Sequence, residues 1–344
     1  GEETFRTEVA AWMRDHLRDE FEPLRGKAGF GYSGYDPVLA KRWEQRLAQG
    51  GWIGIGWPAG FGARALPLAQ QVIFHEEYVR AGGPGRIGHI GETLLAPTLI
   101  ALGTPQQKQR FLPGILAGTE YWAQGYSEPN AGSDLANVQT RAERDGDHYV
   151  LNGQKCFITM GATAHYVMVY AKTGATPEER SRRGIDNISA FIIDTKAEGF
   201  RFGRDEPCMG IRATPHTELY FENLRVPEDC RIGEEGKGFL GAMASLDQNR
   251  PMVAANAVGL ARGAFETALA YAKERKAFGK AIGEFQAIQH MLADMAMQIE
   301  AASALLYRCT TMIDEGSGDH NQVAALASMA KCFTTDMCMK VRSE

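Results

Sequence analysis

The spacing of apolar positions in this chain changes twice. From Thr4 to about Thr119 they recur at helical intervals: Phe5, Val9, Trp12 and Leu17 begin an amphipathic run, and Trp43 and Leu47 extend it. The stretch Gly50-Gly51-Trp52-Ile53-Gly54-Ile55-Gly56-Trp57-Pro58 is a glycine-broken apolar turn. Phe74, Tyr78 and Val79 predict a further helix, and Leu94, Leu95, Leu99 and Ile100 another. Pro105 opens a short one over Gln106–Leu112 that ends at Pro113. From about Glu120 to Asn223 the pattern becomes alternating. Val167, Val169 and Tyr170, then Ile188 and Ala190–Ile193, then Leu219–Phe221, predict strands. Asp145-Gly146-Asp147 is a hairpin turn ahead of alternating Tyr149, Leu151, Phe157 and Thr159. Gly174–Gly184 is charged and predicts a solvated loop. From about Phe239 the helical spacing returns. Phe285, Ile288, Leu292, Met295, Ile299, Ala302 and Leu306 lie three and four apart, as in a heptad seam.

A helical segment, a strand segment and a second helical segment make an α+β chain, divided at 1–119, 120–232 and 233–344. A length of 344 residues, with 44% hydrophobic and 23% charged, suits an ordinary globular protein with two or three domains. The net charge of −5 offers no basic footprint for nucleic acid or an acidic membrane surface. No apolar run reaches membrane-spanning length. Cys156, Cys208, Cys230, Cys309, Cys332 and Cys338 show neither CxxC nor metal-ligand spacing, which predicts reduced thiols and a cytoplasmic location.

The densest candidate chemistry lies in YSEPNAGSDLANVQTRAERDGDHYVLNGQKCFIT, Tyr126 to Thr159. Ser127 to Asp134 is a tight loop in which Pro129 fixes φ, Gly132 frees the backbone, and Ser and Asp side chains cap amides. Free N–H groups beside strands can cradle an anion or a flavin, and the same residues equally suit a surface turn. YSEPNAGSD followed by NGQKCFIT resembles the first signature of the acyl-CoA dehydrogenase family. Arg275-Lys276-Ala277-Phe278-Gly279 resembles the second, in the right order and separation. The resemblance runs from Phe5 to about Val341. It implies an N-terminal helical domain, a middle β-barrel-like domain and a C-terminal four-helix bundle, here incomplete.

The resemblance also implies FAD, because side chains accept hydride poorly. The reaction it implies is oxidation of an acyl-CoA thioester to the trans-2-enoyl-CoA, with electrons passed to an electron-transferring flavoprotein. On this basis Tyr126, Ser127, Gly132 and Ser133 would lie along the isoalloxazine and pyrophosphate, and Ser133 would also face the pantetheine arm. Phe157, Ile158 and Thr159 would pack on the other side of the ring, Phe157 standing where many relatives have Trp. Read from the strand pattern alone, Phe157 and Ile158 are equally strand core. Arg275, Phe278 and Gln286 would reach FAD held mainly by a neighbouring subunit, which implies a homo-oligomer, usually a dimer of dimers. Trp52, Trp57 and the Glu92–Leu95 turn are candidates to line an acyl pocket.

Leu246-Asp247-Gln248-Asn249-Arg250-Pro251 corresponds to the helix beside the thioester, where Asp247 and Arg250 would face the substrate. Some members carry the catalytic Glu at the position of Asn249, and Asn takes no proton at neutral pH. The other branch places its Glu after a Gln-x-x-Gly-Gly motif, which residues 1–344 do not contain. The expectation is therefore an acyl-CoA dehydrogenase whose catalytic Glu lies beyond residue 344, with no catalytic residue assigned within the chain. Two alternatives are a non-catalytic subunit of a mixed oligomer and an oxidase of the same fold.

Overall fold

The computed structural model describes residues 1–344 apart from Ala175, Pro177, Arg180–Arg183, Ile211 and Glu344, and apart from the side chains of Glu2, Ala244, Ser245, Asp247 and Gln248. Part of the charged loop expected at 174–184 thus lies outside the described residues. The chain forms two compact units: Thr7–Leu66 with Glu77–Ser245, and Gly1–Arg6 with Pro67–Glu76 and Leu246–Glu344.

The larger unit begins with helices α1 (Glu2–His16), which spans both units, and α2 (Pro37–Gln49). Helix α2 starts where the Asp36 carboxylate accepts the N–H groups of Val38 and Leu39 at 2.8 and 3.2 Å, with Pro37 in the first turn. Helix α3 (Leu68–Arg80) again spans both units, and a π-turn at Gly91–Leu95 runs directly into α4 (Ala96–Leu102). Helix α5 (Pro105–Leu116) is opened by a capping box between Thr104 and Gln107. It outlasts its predicted end. Pro113 sits inside the helix, where its missing N–H costs one bond, while the N–H of Ala117 returns to the Pro113 carbonyl at 2.9 Å. Phe5, Val9, Leu17, Trp43, Leu47 and Phe74 are all buried, as their spacing predicts.

The strands are β1 (Trp122–Gly125), β2 (Arg141–Asp145), β3 (His148–Thr159), β4 (Tyr166–Lys172), β5 (Ile188–Asp194), β6 (Phe200–Asp205), β7 (His216–Pro227) and β8 (Arg231–Ile232). They form two leaves, β6-β7-β3-β2 and β1-β4-β5-β8, joined by the pairing of Arg141 with Lys172. One core lies between them, with Tyr149, Leu151 and Ile158 from β3, Val167 and Val169 from β4, Phe191 from β5 and Phe221 from β7. The hairpin turn at Gly146 is as predicted, with Asp145 opposite His148 and φ +64 at the glycine. The alternation expected through Phe157 fails. Between the Lys155–Leu219 and Ile158–Thr217 pairs β3 holds one residue more than β7, and Phe157 absorbs the bulge at φ +55.

The smaller unit packs three long helices: α6 (Gly238–Glu274, from Leu246 onward), α7 (Gln286–Glu315) and α8 (His320–Ser343). Met295, Ile299, Ala302 and Leu306 of the heptad seam form the core with Ala254, Ala257, Leu326 and Met337. The seam weakens at its start, where Phe285 and Ile288 are only half-buried. Asp314 of α7 caps α3, accepting from the N–H of Leu68 at 2.7 Å and of Ala69 at 3.1 Å. All six cysteines are free thiols. Among the described residues no helix is long and apolar enough to cross a membrane.

Candidate active site

Strand β1 runs parallel to β4 and delivers Tyr126 to its end. The Tyr126 ring stacks on Tyr170 with centroids 4.4 Å apart, and its hydroxyl accepts from Gln124 Nε2 at 2.9 Å. Burial pushes the Tyr126 phenol up to about 12, so it stays neutral. The chain then folds back on itself. Glu128 N–H donates to the Ala131 carbonyl at 2.9 Å and Ala131 N–H to the Glu128 carbonyl at 3.1 Å, leaving Pro129 and Asn130 at an exposed corner. Gly132 and Ser133 follow on the surface, and a Cβ at Gly132 would meet no atom within 4 Å.

Strand β3 brings the second half of the motif to the first. Cys156 N–H donates to the Ser127 carbonyl at 2.9 Å, and the Lys155 ammonium donates to the Tyr126 carbonyl at 3.0 Å. Lys155 also pairs with Glu128 Oε1 at 2.8 Å, both side chains being buried. Glu128 accepts two further N–H groups, from Thr140 at 3.0 Å and from Gln139. Burial works against the Glu128 charge, but Lys155 and these N–H groups hold its carboxyl below the ordinary range. Burial lowers the Lys155 ammonium against the pull of Glu128. The close approach of Thr140 depends on Gly153, at φ +150, where a Cβ would stand 2.7 Å from Thr140 Cα.

The bulge divides the three residues assigned to the far side of the ring. Phe157 points outward and is 60% exposed, Ile158 points into the β-core, and Thr159 is half-buried opposite His216. Only the backbone of Ile158 faces away from that core, whereas Phe157 presents an aromatic plane.

In the smaller unit α6 ends at Glu274, and Lys276–Ala277 pairs with Lys280–Ala281 in a short hairpin. Phe278 and Gly279 form its turn, both with positive φ (+52 and +81). Phe278 is 96% exposed, and its ring lies 6.1 Å edge-on from Phe285. Gln286 opens α7 immediately after Phe285. Arg275, Phe278 and Gln286 are therefore gathered around one exposed hairpin. Asn249 and Arg250 are half-buried on α6, and the Asp247 side chain lies outside the described residues. Pro251 sits inside α6 and leaves the carbonyl of residue 247 without its i+4 donor.

Trp52 and Trp57 are buried in the helical core. Trp57 Nε1 donates to the Glu92 carbonyl at 3.0 Å, and Glu92 belongs to a buried ion cluster. Arg86 binds both oxygens of Glu44 at 2.9 Å and Glu92 Oε2 at 2.7 Å. The Glu44–Arg86–Glu92 cluster and the Glu128–Lys155 pair escape sequence reasoning because their partners lie far apart in the chain. Lys155 carried one signal: it shares the inward parity of Tyr149 and Leu151, so a charge there demands a buried counter-ion.

Family models for the N-terminal, middle and C-terminal domains of acyl-CoA dehydrogenases match residues 1–119, 123–224 and 236–344. The chain belongs to the acyl-CoA dehydrogenase family. It is thus an oxidoreductase of a flavoprotein family. It is 39% identical over 298 residues to the probable acyl-CoA dehydrogenase FadE25 of Mycobacterium tuberculosis, covering 87% of this chain and 74% of that protein. It is 38% identical to subunit CarC of the caffeyl-CoA reductase-Etf complex of Acetobacterium woodii, covering 86% of this chain and 76% of that protein. Butyryl-CoA dehydrogenase from Megasphaera elsdenii superposes with a TM-score of 0.80 at 32% identity, over 99% of this chain and 85% of that one. The three-domain acyl-CoA dehydrogenase fold, with a β-sheet domain between two helical ones, is the fold of this chain.

Proposed function

We propose that this chain binds FAD along the Tyr126–Ser133 loop and the bulged end of β3 at Phe157–Thr159, and serves in the α,β-dehydrogenation of an acyl-CoA thioester. The observation that carries this reading is the joining of the two motif halves through Lys155 and Cys156, which brings the backbone of Tyr126 and Ser127 against β3 immediately before the exposed Phe157. That surface fits a flavin. Phe157 offers a flat apolar face, Ser127, Ser133 and Thr159 offer hydroxyls, and the loop's one buried carboxylate is neutralised by Lys155. Bound flavin would supply the hydride acceptor for the substrate β-hydrogen. Ser127 would hydrogen-bond the flavin edge, and Ser133 would reach both cofactor and pantetheine arm. Arg250 would hold the polar groups beside the thioester. Arg275, Phe278 and Gln286 would meet the FAD of a second copy, in a dimer of dimers, and Phe157 would face an electron-transferring flavoprotein. No residue within 1–344 is assigned the proton abstraction, since Asn249 cannot accept the α-proton.

Reconstitution with FAD, followed by anaerobic titration with octanoyl-CoA, tests this. The expected result is a yellow protein with one FAD per chain whose flavin spectrum shifts on adding the thioester. A chain that retains no FAD at micromolar concentration overturns the reading. Bleaching of the flavin would assign a base within 1–344, whereas a spectral shift without bleaching would place the base outside these residues. Asn249, which takes no proton and stands at one of the family's base positions, also favours a second reading, a non-catalytic subunit of a mixed oligomer. Bleaching that appears only on mixing with a partner subunit would select it.

A further inference from the structure

We infer that the buried Glu128–Lys155 ion pair is the positioning device of the cofactor loop: it sets the backbone of Tyr126–Ala131 in its binding shape and removes net charge from beneath it. The inference rests on the flavin reading of that loop.

The pair makes four bonds that hold the loop in place. Lys155 donates to the Tyr126 carbonyl at 3.0 Å and to Glu128 Oε1 at 2.8 Å. The Glu128 carboxylate accepts the N–H groups of Thr140, at 3.0 Å, and of Gln139, on its two different oxygens. The pair thereby ties three backbone segments to one another: the loop after β1, the residues leading into β2, and the middle of β3. Lys155 lies two residues before the Phe157 bulge, so the same side chain also fixes where the exposed ring leaves the strand. Neither Tyr126 nor Ser127 keeps its carbonyl free to turn toward solvent, because Lys155 and Cys156 occupy them.

The chemistry of the carboxylate makes the device specific. Both of its oxygens accept from donors that cannot retract, two of them backbone amides. An amide side chain has one acceptor oxygen, so either orientation of Gln at 128 sets its NH₂ against an N–H or against the ammonium. An apolar residue at 155 instead leaves a buried carboxylate with no counter-ion beneath a loop assigned to an anionic diphosphate. The polar atoms of Glu128 and Lys155 are engaged with each other and with the backbone, so neither is placed to touch the hydride or the thioester. They act through the loop.

The test compares Lys155→Met and Glu128→Gln with the parent chain and with Phe221→Leu, a substitution in the buried β-core that leaves the ion pair in place. FAD affinity is measured by fluorescence at 10 °C, with near-UV circular dichroism reporting the fold, and amide hydrogen exchange is followed over 126–140. Expected are a loss of FAD affinity of at least tenfold in both pair variants, little change in Phe221→Leu, and faster exchange at Ala131, Thr140 and Cys156. An affinity for FAD within twofold of the parent in Lys155→Met overturns the inference, as does a loss matched by Phe221→Leu. Exchange decides the case without cofactor. If the parent binds no FAD the flavin reading falls, while unchanged protection of those three amides in the variants sinks the positioning role by itself.

Discussion

Replacing Arg86 by Met would strand two buried carboxylates. Arg86 is nearly buried and binds both oxygens of Glu44 at 2.9 Å and one of Glu92 at 2.7 Å. Burial opposes its charge, but the two glutamates more than compensate and hold it ionised. Removing one partner of such a cluster costs about 3–5 kcal/mol. Some support would remain: Glu44 keeps the N–H groups of Ile87 and Gly88, and Glu92 keeps that of Gly54 at 2.8 Å. The expected cost at pH 8 is therefore near the lower end, about 3 kcal/mol, against a folding stability on the order of 5–15 kcal/mol. The pH dependence has a definite sign. Burial already raises the Glu92 carboxyl despite the pull of Arg86, and loss of Arg86 raises it further. A carboxyl raised in the folded state keeps a proton that the unfolded chain has released. Its contribution is thus fully present below about pH 4.3 and declines by up to about 1.4 kcal/mol per unit as pH rises toward the folded-state value. The Arg86→Met defect should be small at pH 5 and large at pH 8. Urea unfolding followed by tryptophan fluorescence measures it, Trp57 reporting directly because its indole N–H donates to Glu92. A cost below about 1 kcal/mol at pH 8, the range of a surface ion pair, or an equal cost at both pH values, would refute the reasoning.

Phe157→Ala should change thermal stability by less than about 0.5 kcal/mol, because the ring is exposed, while slowing electron delivery to an external acceptor. A drop of several degrees in melting temperature would show that the ring belongs to the core. Gly153→Ala should destabilise by about 1–3 kcal/mol in chemical unfolding, since its Cβ meets the Thr140 backbone at positive φ; a neutral result would mean that the Thr140 segment yields freely. The Glu128 carboxyl, lowered in the folded state by Lys155, contributes stability above the unfolded value of about pH 4.3 and loses it as pH falls toward the folded one. Acid unfolding of Glu128→Gln should therefore show a shallower pH slope there than the parent, and parallel curves would count against the ion pair.

Phe157 shows where sequence patterning stops. Its neighbours Tyr149, Leu151 and Ile158 lie inward, and a strict period of two assigns Phe157 a place on the same strand face as Tyr149 and Leu151. One extra residue in β3 turns it outward, and nothing local in KCFIT announces the insertion, because a bulge is a property of two paired strands. Pro113 is the helical counterpart: a local breaker whose effect the surrounding bonds override. The family assignment and the loop at Ser127–Asp134 were legible because contiguous motifs carry them.

The period of the apolar residues determined the helical and strand segments and the buried part of the α7 seam from Met295 to Leu306, and the Asp145-Gly146-Asp147 turn chemistry determined the hairpin, since each depends on neighbours within a few positions. Only the tertiary structure decided that Lys155 neutralises Glu128, 27 residues away in the chain, and that Arg86 bridges Glu44 and Glu92. A buried charge is tolerated where its counter-ion reaches it in space, and that distance is set by how the strands and helices pack.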